Sequence, residues 1–321
     1  VEHDIGSIIA NCRGFGEVLS FAKTAACSSC AVLITGESGT GKEIIARTIH
    51  EHSANKSGRY VPVNVAALPS ELVESHLFGH VTGAFTGATH NRAGAFRSAA
   101  GGTLLLDEIG DLPVPTQPKL LRALEQKEIQ PVGSDTPITV DTRVIAATSR
   151  NLKQMVEAGQ FREDLLYRIN VVEIHIPPLR ERPEDIPSLA EYYCRYHAEN
   201  YGKPVKRLSA DACLQLLNHP WKGNVRELSN IIERAILFCE SDNIGPDDLN
   251  LNPCSDNAYP TRSSLQEAVD AFKKQHIISV LQSVDGNRSK AAEKLDLSHA
   301  TLFRYIEKYG LKGYALHSHN R

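Results

Sequence analysis

The sequence predicts an α/β fold, a parallel sheet with a helical lid, followed by a small all-α domain. Three observations predict it. Short apolar runs alternate with helical periodicity over the first half of the chain. From about residue 184 the pattern becomes wholly helical. A stretch rich in Asp, Asn, Ser and Pro then precedes a last helical block. Strands alternating with helices mark a parallel sheet with crossover helices. A chain of 321 residues has room for two or three such units.

The elements follow in order. Residues 31–35 (AVLIT) are apolar and end at a glycine-rich turn, as a buried parallel strand does. EIIARTIHEH behind them has helical spacing. Residues 60–65 (YVPVNV), 103–106 (TLLL) and 143–148 (RVIAAT) are the further expected strands, with helical stretches such as 116–127 (TQPKLLRALEQK) between them. Three packed helices are expected from DIPSLAEYYCRYHAENYG, SADACLQLLNHP and NVRELSNIIERAILFCE. Residues 241–263 have the composition of a linker. The expected boundaries are therefore a core at 1–176, a lid at 177–245, a linker at 246–263 and a helical domain at 264–321. No internal repeat is visible.

Composition narrows the function classes. Hydrophobic residues make up 41% and charged residues 23%, an ordinary soluble globular balance. No apolar run approaches the ~20 residues of a membrane span, and no signal peptide is visible. The chain begins with Val1, so a piece of a longer protein is expected. Seven scattered cysteines argue against a disulfide framework and fit a reducing cytoplasm. Cys27-Ser-Ser-Cys30 lacks a second metal-binding pair and reads as ordinary thiols. From Ser264 to Arg321 there are 9 Lys+Arg and 6 Asp+Glu, a balance of +3, so the remainder carries −6 of the total −3. A basic tail behind an acidic body points the tail toward nucleic acid.

Gly36-Glu37-Ser38-Gly39-Thr40-Gly41-Lys42-Glu43 follows the first strand and opens a helix. This is a phosphate-binding loop in its required context. Its glycines let backbone N–H groups close around phosphate oxygens, and the helix N-terminus and Lys42 add positive charge. Glu43 stands where a hydroxyl is usual. Leu104-Leu105-Leu106-Asp107-Glu108 supplies the acidic half: Asp107 suits Mg²⁺, and Glu108 suits polarising the attacking water. In FREDLLYRINV, Arg162 and Arg168 are either γ-phosphate fingers acting in trans or partners in surface ion pairs; the spacing leaves both open. Gly83-Ala84-Phe85-Thr86-Gly87-Ala88 is a small apolar loop with glycine hinges and nothing catalytic in it.

These segments together resemble the bacterial enhancer-binding proteins, the AAA+ activators of sigma-54 RNA polymerase. The resemblance runs from about residue 5 to 315. It rests on GESGTGKE (36–43), LFGHVTGAFTGA (77–88), GGTLLLDEIGDL (101–112), FREDLLYRINV (161–171), PPLRERPEDI (177–186) and GNVRELSN (223–230). It implies an AAA+ P-loop sheet with a helical lid. It makes the 83–88 loop the sigma-factor contact, with Phe85 and Thr86 at its tip. It implies ATP and Mg²⁺ held by Lys42 and Asp107, with Glu108 as catalytic carboxylate. Asn64 would pair with that glutamate and sense the γ-phosphate. Arg162 and Arg168 would be fingers in a ring, hexameric in this family and dimeric when inactive. Arg226 would be the nucleotide-sensing lid arginine. Four departures stand out. Ser149 replaces the sensor asparagine after Thr148, which would leave Thr148 to serve. Arg97 replaces a glutamate, Lys222 replaces a proline, and IIANC alters the adenine contacts near Ile8 and Ile9.

In the tail, Leu265, Val269, Phe272, His276, Val280 and Val284 recur at helical spacing, as a core face or a dimer face. SKAAEKL and SHATLFRYIEKYG then read as helix-turn-helix, with small Ala291 and Ala292 on the first helix. This resembles a Fis-type domain, with Asp296 where the turn glycine is usual. Ser298 would cap the recognition helix. His299, Thr301 and Arg304 would face the major groove of double-stranded DNA, at a palindromic enhancer-like site. Arg288, Lys290 and Lys308 suit phosphates. Two other classes compete with the remodelling activator: a regulator that binds ATP structurally, and an unfoldase or helicase.

Overall fold

The structure is a computed structural model describing residues 13–84, 88–251, 274, 277, 278, 280, 281, 284, 287–295 and 297–309. Two compact units divide the chain, Val1–Leu251 and Asn252–Arg321.

Strands β1 (Val32–Thr35), β2 (Tyr60–Asn64), β3 (Thr103–Asp107), β4 (Glu128–Ile129), β5 (Ile138–Thr139), β6 (Arg143–Thr148), β7 (Val172–His175), β8 (Arg207–Leu208) and β9 (Asn243–Ile244) lie in the first unit. The main sheet has the order β2-β3-β6-β1-β7, and all its pairings are parallel. Each of the four expected strands is present. β7 is an addition. Only Val172 and Ile174 of its four residues are apolar and alternate inward, which is too short a signal to separate from a loop.

Period-two alternation sends neighbouring residues to opposite faces. Val32, Ile34, Leu105, Ile145 and Ile174 pack on one side, with the helices Arg13–Ala26 and Lys42–Glu51 and the lid. Leu33, Leu104, Leu106 and Val144 pack on the other, with Phe78, Phe96, Leu120 and Leu165. The sheet is thus covered on both faces, as its unbroken apolar strands require.

The three lid helices form as expected, at Ile186–Asn200, Ala210–Asn218 and Asn224–Phe238. Trp221 is fully buried among them, and its indole N–H donates to the Leu216 carbonyl at 2.9 Å. Residues 246–249, expected as the start of the linker, belong to the first unit. β8 pairs with β9, and a short Pro246–Leu249 helix seats Leu249 in the lid core. Its Pro246 and Asp248 are helix-start residues: Asp248 accepts the Gly245 N–H at 2.7 Å. Composition alone had suggested a linker for the same residues.

In the second unit, helices Arg288–Lys294 and His299–Lys308 pack through Ala291, Ala292, Leu302 and Ile306 against Ile277, Val280 and Leu281. Val280 is therefore core, and Val284 packs beside it. Leu265, Val269, Phe272, His276 and Asp296 lie outside the described residues.

The chain's single tryptophan, Trp221, is a native reporter of the lid. Leu228, fully buried beside it, should cost about 2–5 kcal/mol when changed to alanine. A lowered denaturation midpoint followed by Trp221 fluorescence checks this; an unshifted midpoint refutes the packing described.

Candidate active site

All five main strands end on about one level, His175 of β7 pairing with Thr35 as well. Thr35 pairs with Thr148 and Asn64 pairs with Asp107 in register. Loops leaving the carboxyl ends of parallel strands open a crevice there. The phosphate loop, the acidic pair and Ser149 all emerge at this edge.

The phosphate loop has the geometry its sequence predicts. Gly39 and Gly41 have φ values of +79° and +104°, and the helix Lys42–Glu51 starts directly behind them. A side chain on Gly39 would also meet the Gly223 carbonyl at 2.4 Å, so the lid lies against the loop. Lys42 is buried and turns back on its own loop, donating to the Gly36 and Glu37 carbonyls at 3.0 and 3.3 Å. It also pairs with Glu108 Oε1 at 3.3 Å.

Glu108 is held from its other side by Ser149. The Ser149 backbone N–H and hydroxyl both donate to Glu108 Oε2, each at 2.9 Å. Burial pushes the Glu108 carboxyl up, but the two Ser149 bonds and Lys42 outweigh it and hold it below the ordinary value. Asp107 goes the other way: burial, then the neighbouring Glu108 charge, raise it. Two adjacent carboxylates are thereby set apart, which is how one site keeps separate roles for each.

The sequence did not reveal Glu108's partners. Asn64 was expected to pair with it. Instead the Asn64 side-chain oxygen accepts the Ala67 N–H at 3.2 Å, capping the turn Val65–Ala67. Thr148 is fully buried, its hydroxyl accepting the Arg150 N–H at 3.0 Å. Ser149 is exposed and lines a cleft of about 350 Å³ together with Gly36, Glu37 and Thr148.

The lid grips the phosphate loop through a second cluster. Arg180 donates two bonds to the Glu37 carboxylate, at 2.8 and 2.6 Å. Buried Asn224 donates to the Glu37 carboxylate and to the Ser38 carbonyl, both at 3.1 Å. Arg226 donates to the Ser38 hydroxyl at 3.0 Å, and Arg182 to the Thr40 carbonyl at 3.0 Å. Arg226 therefore stands at the loop, where a lid arginine was expected. Arg180, Arg182 and Asn224 were not singled out from the sequence, though PPLRERPEDI and GNVRELSN contain them.

Asp107 could hold Mg²⁺: a single carboxylate, with the rest of the shell from phosphate and water, is a habitual magnesium arrangement. Glu43 is exposed in the first helical turn, and its charge adds to the raising of Asp107. Among the described residues no group of three or more His, Cys, Asp or Glu forms a metal cage. Arg162 is fastened to Asp164 at 2.6 Å, and Arg168 donates to the Leu124 carbonyl at 3.0 Å. Neither contact leads to the Lys42–Glu108–Ser149 group.

The 83–88 loop rises on a pinned stem. His80 and Arg92 exchange backbone bonds of 3.1 and 2.9 Å, and Gly83 N–H donates to the Ala88 carbonyl at 2.9 Å. Gly133 packs so closely on Ala84 that an added side chain would come within 2.7 Å. Phe85, Thr86 and Gly87, and also Ile8 and Ile9, lie outside the described residues. Arg97 and Lys222 are exposed.

In the second unit, Ser298 caps the last helix by accepting the Thr301 N–H at 3.2 Å. The Thr301 hydroxyl is bonded to Ser298 at 2.8 Å, and Thr301 is half-buried, so it serves the cap as well as the surface. Lys290, His299, Arg304 and Lys308 are exposed; Arg288 is half-buried. Phe303, 52% exposed beside Arg304, was missed. Its place off the apolar stripe of that helix was the available signal. Cys27, Cys30, Cys194, Cys213 and Cys239 are free, while Cys12 and Cys254 lie outside the described residues. No helix among the described residues is long and apolar enough to cross a membrane.

Comparison with known proteins agrees with this layout. The Sigma-54 interaction domain family matches residues 8–175, the AAA+ ATPase lid domain matches 180–264, and the Fis-family bacterial regulatory protein domain matches 268–309. The chain is 43% identical to the DNA-binding transcriptional activator HyfR of Escherichia coli, over 96% of this chain and 48% of that protein. It is 44% identical to the response regulator protein PilR of Pseudomonas aeruginosa, over 88% and 65%. It is 41% identical to the regulatory protein AtoC of E. coli, over 95% and 68%. The chain thus spans about half to two thirds of these relatives. A crystal structure of NtrX from Brucella abortus in complex with ATP superposes with a TM-score of 0.73 at 34% identity, covering 93% of this chain and 68% of that one.

The Glu37 carboxyl is held at about 2, against an ordinary 4.5, first by Arg180 and then by Asn224. A lowered carboxyl stabilises the fold above its ordinary value and stops doing so as pH falls toward the lowered one. Glu37→Gln should therefore lower stability by less than ~1 kcal/mol at neutral pH, because the pair is half-exposed. The difference should shrink below pH 4.5. Urea midpoints of both proteins at pH 7 and pH 3.5 test this; an equal gap at both pH values would refute it.

Proposed function

The chain belongs to the sigma-54-dependent AAA+ transcriptional activators, and from that premise we propose that it couples ATP hydrolysis to the opening of promoters. Its C-terminal unit would bind an upstream palindromic site, and its ATPase unit would remodel the sigma-54 RNA polymerase holoenzyme. One observation carries the proposal. The phosphate loop and the Asp107–Glu108 pair meet at one edge of the sheet, and β3, which bears the acidic pair, and its neighbour β2 are joined by short elements to the 83–88 stem.

Gly36 to Gly41 and Lys42 would cradle the phosphates of ATP. Asp107 would hold Mg²⁺, which supplies charge neutralisation on the phosphate oxygens. Glu108 would polarise a water whose oxygen bonds to the γ-phosphorus. The bond from that phosphorus to the bridging oxygen breaks, ADP leaves with the electron pair, and the water proton passes to Glu108. Since neither Arg162 nor Arg168 contacts this site in its own chain, both suit a neighbour's site in a ring, hexameric by family precedent. Arg226 and its lid neighbours would sense the nucleotide through Glu37 and Ser38. On DNA, His299 and Arg304 would read base edges, and Phe303 suits a thymine methyl. Arg288, Lys290 and Lys308 would position the unit on phosphates.

Sigma-54 polymerase on a supercoiled promoter should melt DNA with this protein and ATP, and fail to melt it with a non-hydrolysable analogue. Melting with both would leave hydrolysis without a role. No melting with either, despite ATP turnover, would move the assignment to a different remodeller.

Two substitutions should divide the machine. Lys42→Ala should lower turnover about 100-fold or more. Thr86→Ala should leave turnover within about twofold and abolish melting. Full melting by the Thr86 variant would remove the loop from the contact.

A further inference from the structure

We propose that Cys30 is a modification site, where an anionic low-molecular-weight disulfide of the glutathione type exchanges onto the chain and seats its carboxylates in the cleft beside Arg143. The site is independent of the nucleotide reading. It lies at the amino ends of β1, β6 and β7, the opposite edge of the sheet from the phosphate loop.

A cleft of about 620 Å³ opens at that edge, and Cys30, Lys127, Asp141, Arg143 and Arg168 are among the residues that line it. Its volume lies within the usual range of small-molecule sites. Three of these side chains are cationic and one is acidic, a balance that favours an anion. Lys127 and Asp141 pair at 2.7 Å, but both are exposed, so a second carboxylate can compete for the lysine at little cost. Arg143 is placed differently. It is 5% exposed, and its two terminal nitrogens donate to the Ala26 and Ala25 carbonyls at 3.0 and 2.9 Å. The helix end takes those two donors, and Nε is left without a partner. No carboxylate among the described residues is paired with this guanidinium. A buried cation without an opposite charge is costly. Burial lowers the Arg143 pKa, and negative charge on Cys30 works against that lowering.

The pair Cys27-Ser-Ser-Cys30 is thereby divided. Cys27 is exposed just past the helix Arg13–Ala26, and its thiol donates to the Lys23 carbonyl at 3.7 Å. Cys30 is half-buried and shares the cleft with Arg143. In the exchange, the Cys30 sulfur bonds to one sulfur of the incoming disulfide and the S–S bond breaks. The displaced thiolate takes up the proton that Cys30 has given up, so nothing is oxidised overall. Negative charge is shared among three sulfurs while the bonds change, and the buried guanidinium stabilises it. The carboxylates of the retained half then have Lys127 and Arg168 in the same cleft as charged donors. Exposure alone would send a disulfide to Cys27. The cleft sends an anionic one to Cys30.

The folded protein, reduced and then incubated with glutathione disulfide at neutral pH, tests this by peptide mass mapping over time. The adduct should form on Cys30 about five- to tenfold faster than on Cys27, and dithiothreitol should remove it. Cys27→Ser should leave the rate at Cys30 unchanged, which excludes transfer from Cys27. Lys127→Gln, an exposed change that leaves no cavity, should narrow the preference for Cys30. The neutral 2-hydroxyethyl disulfide should show little or no preference. An adduct that forms first on Cys27 would overturn the proposal. So would a Cys27–Cys30 disulfide with no adduct retained. An equal preference for Cys30 with the neutral disulfide would overturn recognition of the carboxylates by the cleft.

Discussion

The burial of a parallel sheet on both faces governs this molecule. Backbone groups in β1, β3 and β6 are paired within the sheet, and the side chains along their middles are apolar and enclosed. Unpaired charge is too costly to place there, and the one buried charge, Arg143 at the start of β6, donates to the Ala25 and Ala26 carbonyls. Other charge is displaced to the strand ends, where register brings Thr35 beside Thr148 and Asn64 beside Asp107. The phosphate loop, the acidic pair and Ser149 are neighbours because three parallel strands stop on one level. The site's precision is therefore inherited from core packing rather than from loop structure.

A second consequence concerns how the phosphate loop is held. Lys42 is drawn inward to Glu108, while Glu37 is drawn outward to Arg180 and Asn224 of the lid. The loop thus lies between the Glu108 carboxylate and a lid arginine. Under the proposed activity, a phosphate entering it would compete for the first attraction and alter the geometry on which the second depends. Gly39 against Gly223 leaves no slack between loop and lid. A nucleotide can favour one lid position only through such differential contacts.

What the sequence disclosed follows the same division. Elements whose chemistry is local were legible: the phosphate loop, the acidic strand end, and the small Ala291 and Ala292 between the last helices. Contacts made by folding were not. Glu108 and Ser149 are 41 residues apart, and Glu37 and Asn224 are 187 apart. No spacing rule links them. The departure at Ser149 was visible, but its meaning depended on where β3 and β6 end relative to each other. β7 was missed because two inward residues carry too little pattern. Pro246–Leu249 was missed because the residues that begin a helix are also those that make linkers. Thr301 drew attention as a surface residue of its helix, yet its hydroxyl is bonded to the cap it helps to form.

The route from site to loop can be traced along the backbone. Asn64 ends β2 beside Asp107, and its side chain caps the turn Val65–Ala67. The helix Ser70–Phe78 follows, and Gly79 after it begins the stem of the 83–88 loop. On the return side, the stem leads into the short Ala95–Ser98 helix and then into β3, which carries Asp107 and Glu108. Phe78 and Phe96 stack at 5.6 Å and tie the outgoing and returning helices together. Both legs of the loop are therefore anchored on adjacent strands whose ends bear the acidic pair and its neighbour. Close-packed elements of this kind shift as bodies rather than bend. Under the proposed activity, a change at the γ-phosphate would reach the 83–88 loop as a displacement of this stacked pair. Asn64, paired beside Asp107 and capping the turn that follows, would be the first joint of that path.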